Sequence, residues 1–442
     1  MKALGASLVL ILVFLPVIAH GAPAHPAAPA RQVGPPRVAD ASAADAKAAR
    51  LARALELGSY SYVRGDWFST LRNYQEAARA GATDPEILYR MGYAAKQLRQ
   101  PDEMNKWFGQ ATPLLEKRLA EGGTLADSYL LAAIKSAATP TDSSVQEISR
   151  RAIEKLGDGA FGPPKKLKGP DLFRLARLYQ FVGETELSRE TMELARASYR
   201  KMLPGPSDQS EHRRGSTRRA GHREVTLDPN DPYFAAVFME GAAEKMAVGD
   251  YAGAAGLYEE VVRTRPWAPG AFYNLGRARL RQGDLPAAQT AWQKAKTRDL
   301  PYSTEASYAE ALASRVIAYG AAHPEEKVAV EGPFFVMGRA EIERTVKEAT
   351  ASIVELYRAA APAAAHSKEG EPPADASAPE AAGPVKTAAP PKLEAAPTSP
   401  EIERAEHELT KALLAYLVRG YPIRELAMEH QLFGFIFRKP AP

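Results

Sequence analysis

Apolar side chains recur along most of this chain at the spacing of an amphipathic α-helix, and the pattern repeats with a period of 34 residues. The period is clearest in two consecutive units, whose matching residues are Phe238, Ala254, Tyr258 and Pro266 and then Phe272, Ala288, Trp292 and a delayed Pro301. In each unit a Gly-Asp pair, Gly249-Asp250 or Gly283-Asp284, separates two helical segments. Each unit is therefore predicted to be a helix, a tight turn and a second helix. Such a unit cannot bury its apolar face alone, so the units are expected to stack.

The unit at residues 269–298 resembles the tetratricopeptide repeat family. Its matching residues are Phe272 at the opening aromatic place, Leu275-Gly276 at the Leu-Gly place, Ala288 and Trp292 in the second helix, and Ala295 at the closing alanine. Arg279 stands where the family usually has tyrosine, and the preceding unit has Gly241-Ala242 in place of Leu-Gly. These departures loosen the match without breaking the period.

The same register returns nearer the amino end. Leu57-Gly58 and Met91-Gly92 mark two weaker units 34 residues apart, and residues 169–202 form a third. Residues 127–136 and 144–156 are predicted to form one degenerate helical pair, and residues 303–320 a capping helix. The resemblance implies an all-α solenoid of tetratricopeptide-type helical hairpins in two arrays, at residues 46–202 and 231–322.

The amino-terminal segment has the features of a secretory signal peptide. Lys2 precedes an apolar run at residues 8–19, and Ala19-His20-Gly21 suits cleavage after Gly21. Residues 1–21 are therefore predicted to direct export, and the Pro- and Ala-rich residues 22–45 to form a flexible tether. An uncleaved anchor is the alternative, although the run falls short of the roughly 20 apolar residues that span a bilayer. We expect a periplasmic or envelope-associated bacterial protein.

Composition excludes several classes of protein. The 442 residues include no cysteine, so neither disulfides nor thiolate metal sites can stabilise the fold. A net charge of +4 is too small to predict a nucleic-acid partner. Basic residues concentrate at 212–223, inside a segment at 203–230 that we interpret as a flexible linker between the arrays. The alternative is a segment that binds lipid headgroups, another anionic surface or an acidic partner.

The carboxyl-terminal region does not repeat. Residues 323–360 contain a short strand-prone segment and an amphipathic helix, residues 361–400 are Ala- and Pro-rich and predicted to be disordered, and residues 401–442 resume a helical pattern. We expect residues 339–359 and 401–437 to fold together around the Ala/Pro tract. The alternative is that the last segment is an independent helix that docks on a partner or a membrane surface.

The sequence offers no anchor for catalysis. It has no His-Glu-x-x-His spacing, no phosphate-binding glycine loop and no Gly-x-Ser-x-Gly elbow. Adjacent carboxylates such as Glu259-Glu260 point in different directions on a helix and are more typical of a solvated surface than of an acid/base pair. We therefore predict a protein that is not an enzyme, with no catalytic residue, cofactor or metal.

The resemblance implies a binding site instead. In this family the first helix of each unit lines a concave groove that binds peptides or extended segments. The predicted groove residues are Tyr62, Tyr89, Arg90, Tyr93, Lys96, Arg177, Tyr273, Asn274, Arg277 and Arg281. Tyrosine offers contact area at low entropic cost, and the arginine guanidinium pairs with carboxylates.

The predicted function is a non-catalytic scaffold of the cell envelope that binds a protein partner through these grooves. The alternative is an accessory component of an envelope machine related to peptidoglycan, lipid or polysaccharide, which acts through its carboxyl-terminal region.

Overall fold

The computed structural model describes residues 43–156, 167–203, 227–228, 231–325, 337–366, 399–421 and 423–437. These residues form 17 α-helices and one short 3-10 helix, and none of them is in a strand. The prediction of an all-α helical repeat solenoid is therefore confirmed. The signal peptide, most of the tether and the basic linker, the strand-prone residues 328–336 and residues 367–398 lie outside the described residues.

The first ten described helices, which end at Thr264, form five consecutive pairs. They are α1 (Ala43–Val63), α2 (Trp67–Arg79), α3 (Pro85–Gln97), α4 (Pro101–Ala120), α5 (Leu125–Ala138), α6 (Ser143–Lys155), α7 (Gly169–Val182), α8 (Thr185–Arg200), α9 (Tyr233–Ala247) and α10 (Tyr251–Thr264). Helix α1 begins at Ala43, within the last residues of the predicted tether. Helices α5 and α6 are the predicted degenerate pair, and α6 packs on α7 as a member of the same stack.

Seven helices follow. They are α11 (Ala271–Arg281), α12 (Leu285–Arg298), α13 (Ser303–Ala322), α14 (Arg339–His366), α15 (Pro400–Val418), α16 (Ile423–Glu429) and α17 (Phe433–Phe437), with a 3-10 turn at Leu300–Tyr302 before α13. Helix α14 extends beyond residue 360 into the tract that we predicted to be disordered. Alanine has the highest helix propensity of all residues, so the alanines at the start of this tract continue the helix. None of the described helices combines the length and the apolar character needed to cross a membrane.

Three of the helix pairs share one close packing contact. The glycine of the Leu-Gly pair lies against an aromatic ring of the following helix, so that Gly58 meets Tyr74, Gly92 meets Phe108 and Gly276 meets Trp292, always 16 positions later. A Cβ at any of these glycines would overlap the ring. The two helices of a pair approach closely because the residue at this place has no side chain.

The Gly-Asp turns between paired helices have a common geometry. Gly65, Gly249 and Gly283 have φ values of 68°, 82° and 83°, in the left-handed region that favours glycine. The aspartate that follows each of them caps the next helix: Asp66 Oδ1 accepts from Ser69 N at 3.0 Å, Asp250 Oδ1 from Gly253 N at 2.8 Å, and Asp284 Oδ1 from Ala287 N at 3.1 Å. Sequence therefore fixes both the end of one helix and the start of the next.

The chain divides into two compact units, and unit 1 comprises the described residues up to Leu275 together with Thr297–Ser303. Within it the stack continues from α7 and α8 directly to α9, across the predicted linker. Arg196 of α8 is 2% exposed and donates to the carbonyl oxygen of Val237 at 3.1 Å. Its guanidinium lies against Gly241, which explains why the family's leucine is absent at that place.

The second unit comprises Gly276–Lys296 and the described residues from Thr304 onward. Helices α14 and α15 form a pair within it. The hydroxyl of Tyr416 on α15 donates to Glu343 at 2.7 Å, and the hydroxyl of Tyr357 on α14 donates to Glu406 at 2.7 Å. The helices that flank the Ala/Pro tract thus fold together, as the sequence led us to expect.

Candidate functional site

Five tyrosines of unit 1 form what we call the inner tyrosine surface: Tyr62 on α1, Tyr89 and Tyr93 on α3, Tyr129 on α5 and Tyr233 on α9. Each lies on the first helix of its pair, and α3, α5, α7 and α9 contact one another in succession. Ring centroids are 5.9 Å apart between Tyr62 and Tyr93 and 6.4 Å apart between Tyr129 and Tyr233. Neighbouring first helices therefore present a continuous aromatic face.

This face curves around a common space. Burial raises the pKa of Tyr62 well above its usual range, and the nearby Tyr93, Tyr129 and Tyr233 raise it further, while Arg90 opposes them. Packed helices are about 8 to 10 Å apart, so side chains on α1 and α9 of a straight stack would be too distant to interact. The ring contact between Tyr129 on α5 and Tyr233 on α9, with centroids 6.4 Å apart, shows directly that first helices which are not neighbours converge.

A direct contact between the ends of unit 1 supports the same curvature. The guanidinium of Arg64, at the end of α1, lies 5.8 Å from the ring centroid of Trp267, which follows α10. A Cβ at Gly65 would also meet the ring of Pro269. The stack therefore bends far enough for its first turn to touch the loop after its tenth helix.

Two arginines lie against the rings of this surface, and both are paired with carboxylates. Arg90 lies 5.2 Å from the Tyr62 ring and donates to Glu86 at 2.7 Å. Arg174 lies 4.7 Å from the Tyr233 ring and donates to Asp171 at 2.7 Å. These carboxylates balance the two guanidinium charges, so the surface has little net charge there.

Arg177 and Glu240 form a further pair, at 3.4 Å, with side chains that are 28% and 27% exposed. Burial raises the pKa of Glu240, and the neighbouring guanidinium of Arg177 partly opposes that rise. The pKa of Tyr93 is raised by burial first, then lowered by Arg177 and raised by Glu240. The ion pair therefore lies close to the tyrosines of α3.

The tyrosines are crowded but still reach solvent. Tyr62, Tyr89 and Tyr93 are each half-buried, although burial is the largest cause of the rise in their pKa values. The hydroxyls of Tyr62 and Tyr93 have no hydrogen-bond partner among the described residues, and neither atom is fully enclosed. Side chains that are surrounded by many protein atoms but keep accessible hydroxyl groups are typical of a concave binding surface.

The structure thus brings together five of the ten predicted groove residues: Tyr62, Tyr89, Arg90, Tyr93 and Arg177. Lys96 lies one helical turn after Tyr93 on the same face of α3, and it is exposed. Three residues that contribute to this site were missed: Tyr129, Tyr233 and Glu240. Tyr129 belongs to the degenerate pair, which lacks the family pattern. The only indication in the sequence was that a tyrosine lies in a segment with helical apolar periodicity.

The predicted groove residues on α11 have other surroundings. Tyr273 is 5% exposed and stacks on Tyr302 with centroids 5.2 Å apart, so packing uses its ring. The amide nitrogen of Asn274 donates to the carbonyl oxygen of Gly270 at 2.8 Å. Arg277 donates from Nε to the carbonyl oxygen of Val418 at 2.7 Å, and Arg281 is half-buried further along the helix.

In unit 2 the carboxyl-terminal helices occupy the corresponding face of α13. The contacts are Arg315 to Glu406 at 2.7 Å, Tyr308 to Phe437 with centroids 5.1 Å apart, and Tyr319 to His407 with rings stacked at 3.9 Å. Helix α15 is buried along most of its length, including Leu413 and Leu417 at 0% exposure. A helix that is buried on all sides is core, so this face of unit 2 is filled by the chain itself.

A comparison with protein-family models matches residues 245–301 to the tetratricopeptide repeat. Residues 245–301 are tetratricopeptide repeats. No curated protein matches the chain. The glycine and aromatic pairs at Gly58 and Gly92 place the first helices of unit 1 in the same register.

Tetratricopeptide repeats generally serve as protein interaction scaffolds and bind protein partners; they are generally not enzymes. The described part of the chain contains no cluster of three or more histidine, aspartate or glutamate side chains that could hold a metal ion.

Proposed function

We propose that this protein is a non-catalytic scaffold of the cell envelope that binds an extended segment of a partner protein on the inner tyrosine surface of unit 1. The observation that carries the proposal is the convergence of half-buried, accessible tyrosines from α1 and α3 with the Arg177–Glu240 pair. Tyrosine and arginine are the residues that most often supply binding energy in protein interfaces.

The geometry favours an extended ligand. The first helices of unit 1 follow one another at the spacing of packed helices, so the surface runs across the stack rather than forming one pocket. An extended segment can contact several of these helices in succession. Residues 1–21 support the location, because their pattern is that of an export signal.

Site-specific crosslinking in cells tests this proposal. A photoreactive benzoylphenylalanine replaces Lys96, which is exposed on α3 beside the tyrosines, and in a control protein it replaces Phe68, which is 67% exposed on α2. We expect position 96 to yield a discrete protein adduct in the envelope fraction and position 68 to yield none. Equal labelling at the two positions would contradict the proposal, and a product in the cytoplasmic fraction would contradict the location.

A second candidate function uses the carboxyl-terminal end, as an accessory to an envelope machine. It is favoured by the exposed apolar side chains of Met428 and Phe437, which are 53% and 51% exposed at the end of unit 2. The same photoreactive residue at position 428 separates the two candidates. Adducts at position 428 without adducts at position 96 would assign the binding site to the carboxyl-terminal helices instead of the inner tyrosine surface.

A further inference from the structure

The inner tyrosine surface offers hydrogen-bond donors and aromatic faces, while its carboxylates are already paired. This chemistry restricts the classes of ligand that the surface can bind. The hydroxyls of Tyr62 and Tyr93 are accessible and have no partner among the described residues. A tyrosine hydroxyl is protonated at neutral pH and can donate, and burial raises the pKa values of both groups further. Glu86 and Glu240, in contrast, accept from Arg90 and Arg177.

Several ligand classes fit this surface poorly. The arginines that lie beside the tyrosine rings or beside α3, Arg90, Arg174 and Arg177, each pair with a carboxylate, so they offer an acidic peptide little uncompensated positive charge. A glycan also stacks on aromatic rings, but its many hydroxyl donors favour carboxylate acceptors, and Glu86 and Glu240 already accept from arginines. A β-strand needs an open sheet edge, which a surface built from helices does not provide.

A proline-rich segment has the complementary chemistry. Proline lacks the backbone N–H, so such a segment donates few hydrogen bonds. The polyproline II conformation leaves every backbone carbonyl without an internal partner, and its pyrrolidine rings pack on aromatic side chains. The segment is also extended before it binds, so little conformational entropy is lost.

We propose, building on the function above, that the inner tyrosine surface binds a proline-rich segment of a partner protein in the polyproline II conformation. The rings of Tyr62, Trp67 and Tyr93 form the contact platform, with centroid distances of 5.8, 5.9 and 5.6 Å among them. The hydroxyls of Tyr62 and Tyr93 donate to carbonyl oxygens of the ligand.

Titration of the full chain with synthetic peptides tests this inference. The probe is an alternating Ala-Pro peptide of about 16 residues, which spans roughly 50 Å in the polyproline II conformation. Controls of equal length are an alternating Ala-Ser peptide, a glutamate-rich peptide and an amphipathic helical peptide, and a chitin tetrasaccharide represents glycans. Binding is followed by calorimetry and by tryptophan emission, because Trp67 lies within the platform.

We expect the Ala-Pro peptide to bind and to change the tryptophan emission, and the controls to bind at least tenfold more weakly. Replacing Tyr62 and Tyr93 together by phenylalanine keeps both rings and removes both hydroxyls, so we expect about tenfold weaker binding without loss of fold. Tyr60→Phe is the matched control, because Tyr60 lies on the same helix α1 and is 49% exposed outside the platform. It should bind as the wild type does.

Several results would overturn the inference. They are a preference for the glutamate-rich peptide, the helical peptide or the tetrasaccharide, equal binding of the double variant, or no binding of the Ala-Pro peptide. Self-association of the full chain that the double variant abolishes would also overturn it, because the occupant would be a second copy. Protein adducts at position 96 without Ala-Pro binding would remove this ligand and leave the proposed function intact.

Discussion

Arg315 of α13 and Glu406 of α15 form an ion pair at 2.7 Å inside unit 2, with side chains that are only 9% and 10% exposed. The arginine also donates from Nη1 to the carbonyl oxygen of Phe435 at 3.2 Å, and its guanidinium lies 4.1 Å from the Phe435 ring. Glu406 in turn accepts from the hydroxyl of Tyr357. One arginine thus connects α13 with α14, α15 and α17 through buried polar contacts.

Replacing Arg315 by alanine is therefore expected to destabilise unit 2 strongly. Removal of one partner leaves the other charge buried without compensation, at a cost of about 3 to 5 kcal/mol. The measurement is the urea midpoint, followed by circular dichroism. Arg344→Ala is the matched control, because Arg344 and Glu348 pair at 3.9 Å with side chains that are 68% and 71% exposed. An exposed pair of this kind contributes about 0 to 1 kcal/mol, so equal midpoints for the two variants would contradict the role of Arg315.

Gly276 provides a test of the repeat register. The indole of Trp292 is fully buried against it, and a Cβ at position 276 would overlap the ring. Gly276→Leu should therefore overpack the site and lower the free energy of unfolding by about 1 to 3 kcal/mol. Gly256→Ala in α10 is the control: nothing lies within 4 Å of its added Cβ, so the substitution should stabilise by about 0.5 to 1 kcal/mol. If both variants were destabilised, or neither, Gly276 would not lie at the close helix contact that the repeat register predicts.

The repeats could be predicted from sequence because their determinants are local. A glycine and an aromatic residue 16 positions apart, or a Gly-Asp turn followed by an apolar helix, specify one hairpin without reference to the rest of the chain. The same logic failed to find Tyr129 and Tyr233. One lies in a pair without the family pattern, and the other opens α9 directly after Pro232, before that helix enters the register.

The inner face of unit 2 could not be predicted for a different reason. Arg277 occupies the same helical place as a groove residue in the family, and nothing in its neighbourhood along the chain indicates that it donates to Val418. That contact joins residues 141 positions apart. Periodicity predicts which side of a helix is apolar or polar, but not which distant segment will cover it.

Arg277 is accordingly predicted to contribute to stability. Its Nε donates to a carbonyl oxygen at the carboxyl end of α15, where the helix leaves backbone acceptors without partners. Arg277→Ala should lower the free energy of unfolding by about 1.5 to 3 kcal/mol, as expected for a hydrogen bond from a charged group. Hydrogen exchange should increase first at the last turn of α15. Arg263→Ala, at an exposed place on α10, should leave both measurements unchanged. Faster exchange throughout α15 in the Arg263 variant would contradict this assignment.

The tyrosines of unit 1 predict how stability depends on pH. Burial raises the pKa values of Tyr62, Tyr89 and Tyr93 in the folded protein, whereas an unfolded chain ionises its tyrosines near pH 10. The unfolded state therefore releases these protons first as the pH rises. The free energy of unfolding should be independent of these groups below about pH 10 and should fall progressively above it. Phenolate absorbance during alkaline titration, compared between native and urea-unfolded protein, measures the shift directly. The variant with phenylalanine at all three positions should lose less stability between pH 9 and pH 11 than the wild type. Superimposable titration curves for native and unfolded protein would show that the tyrosines are not enclosed by the curved stack.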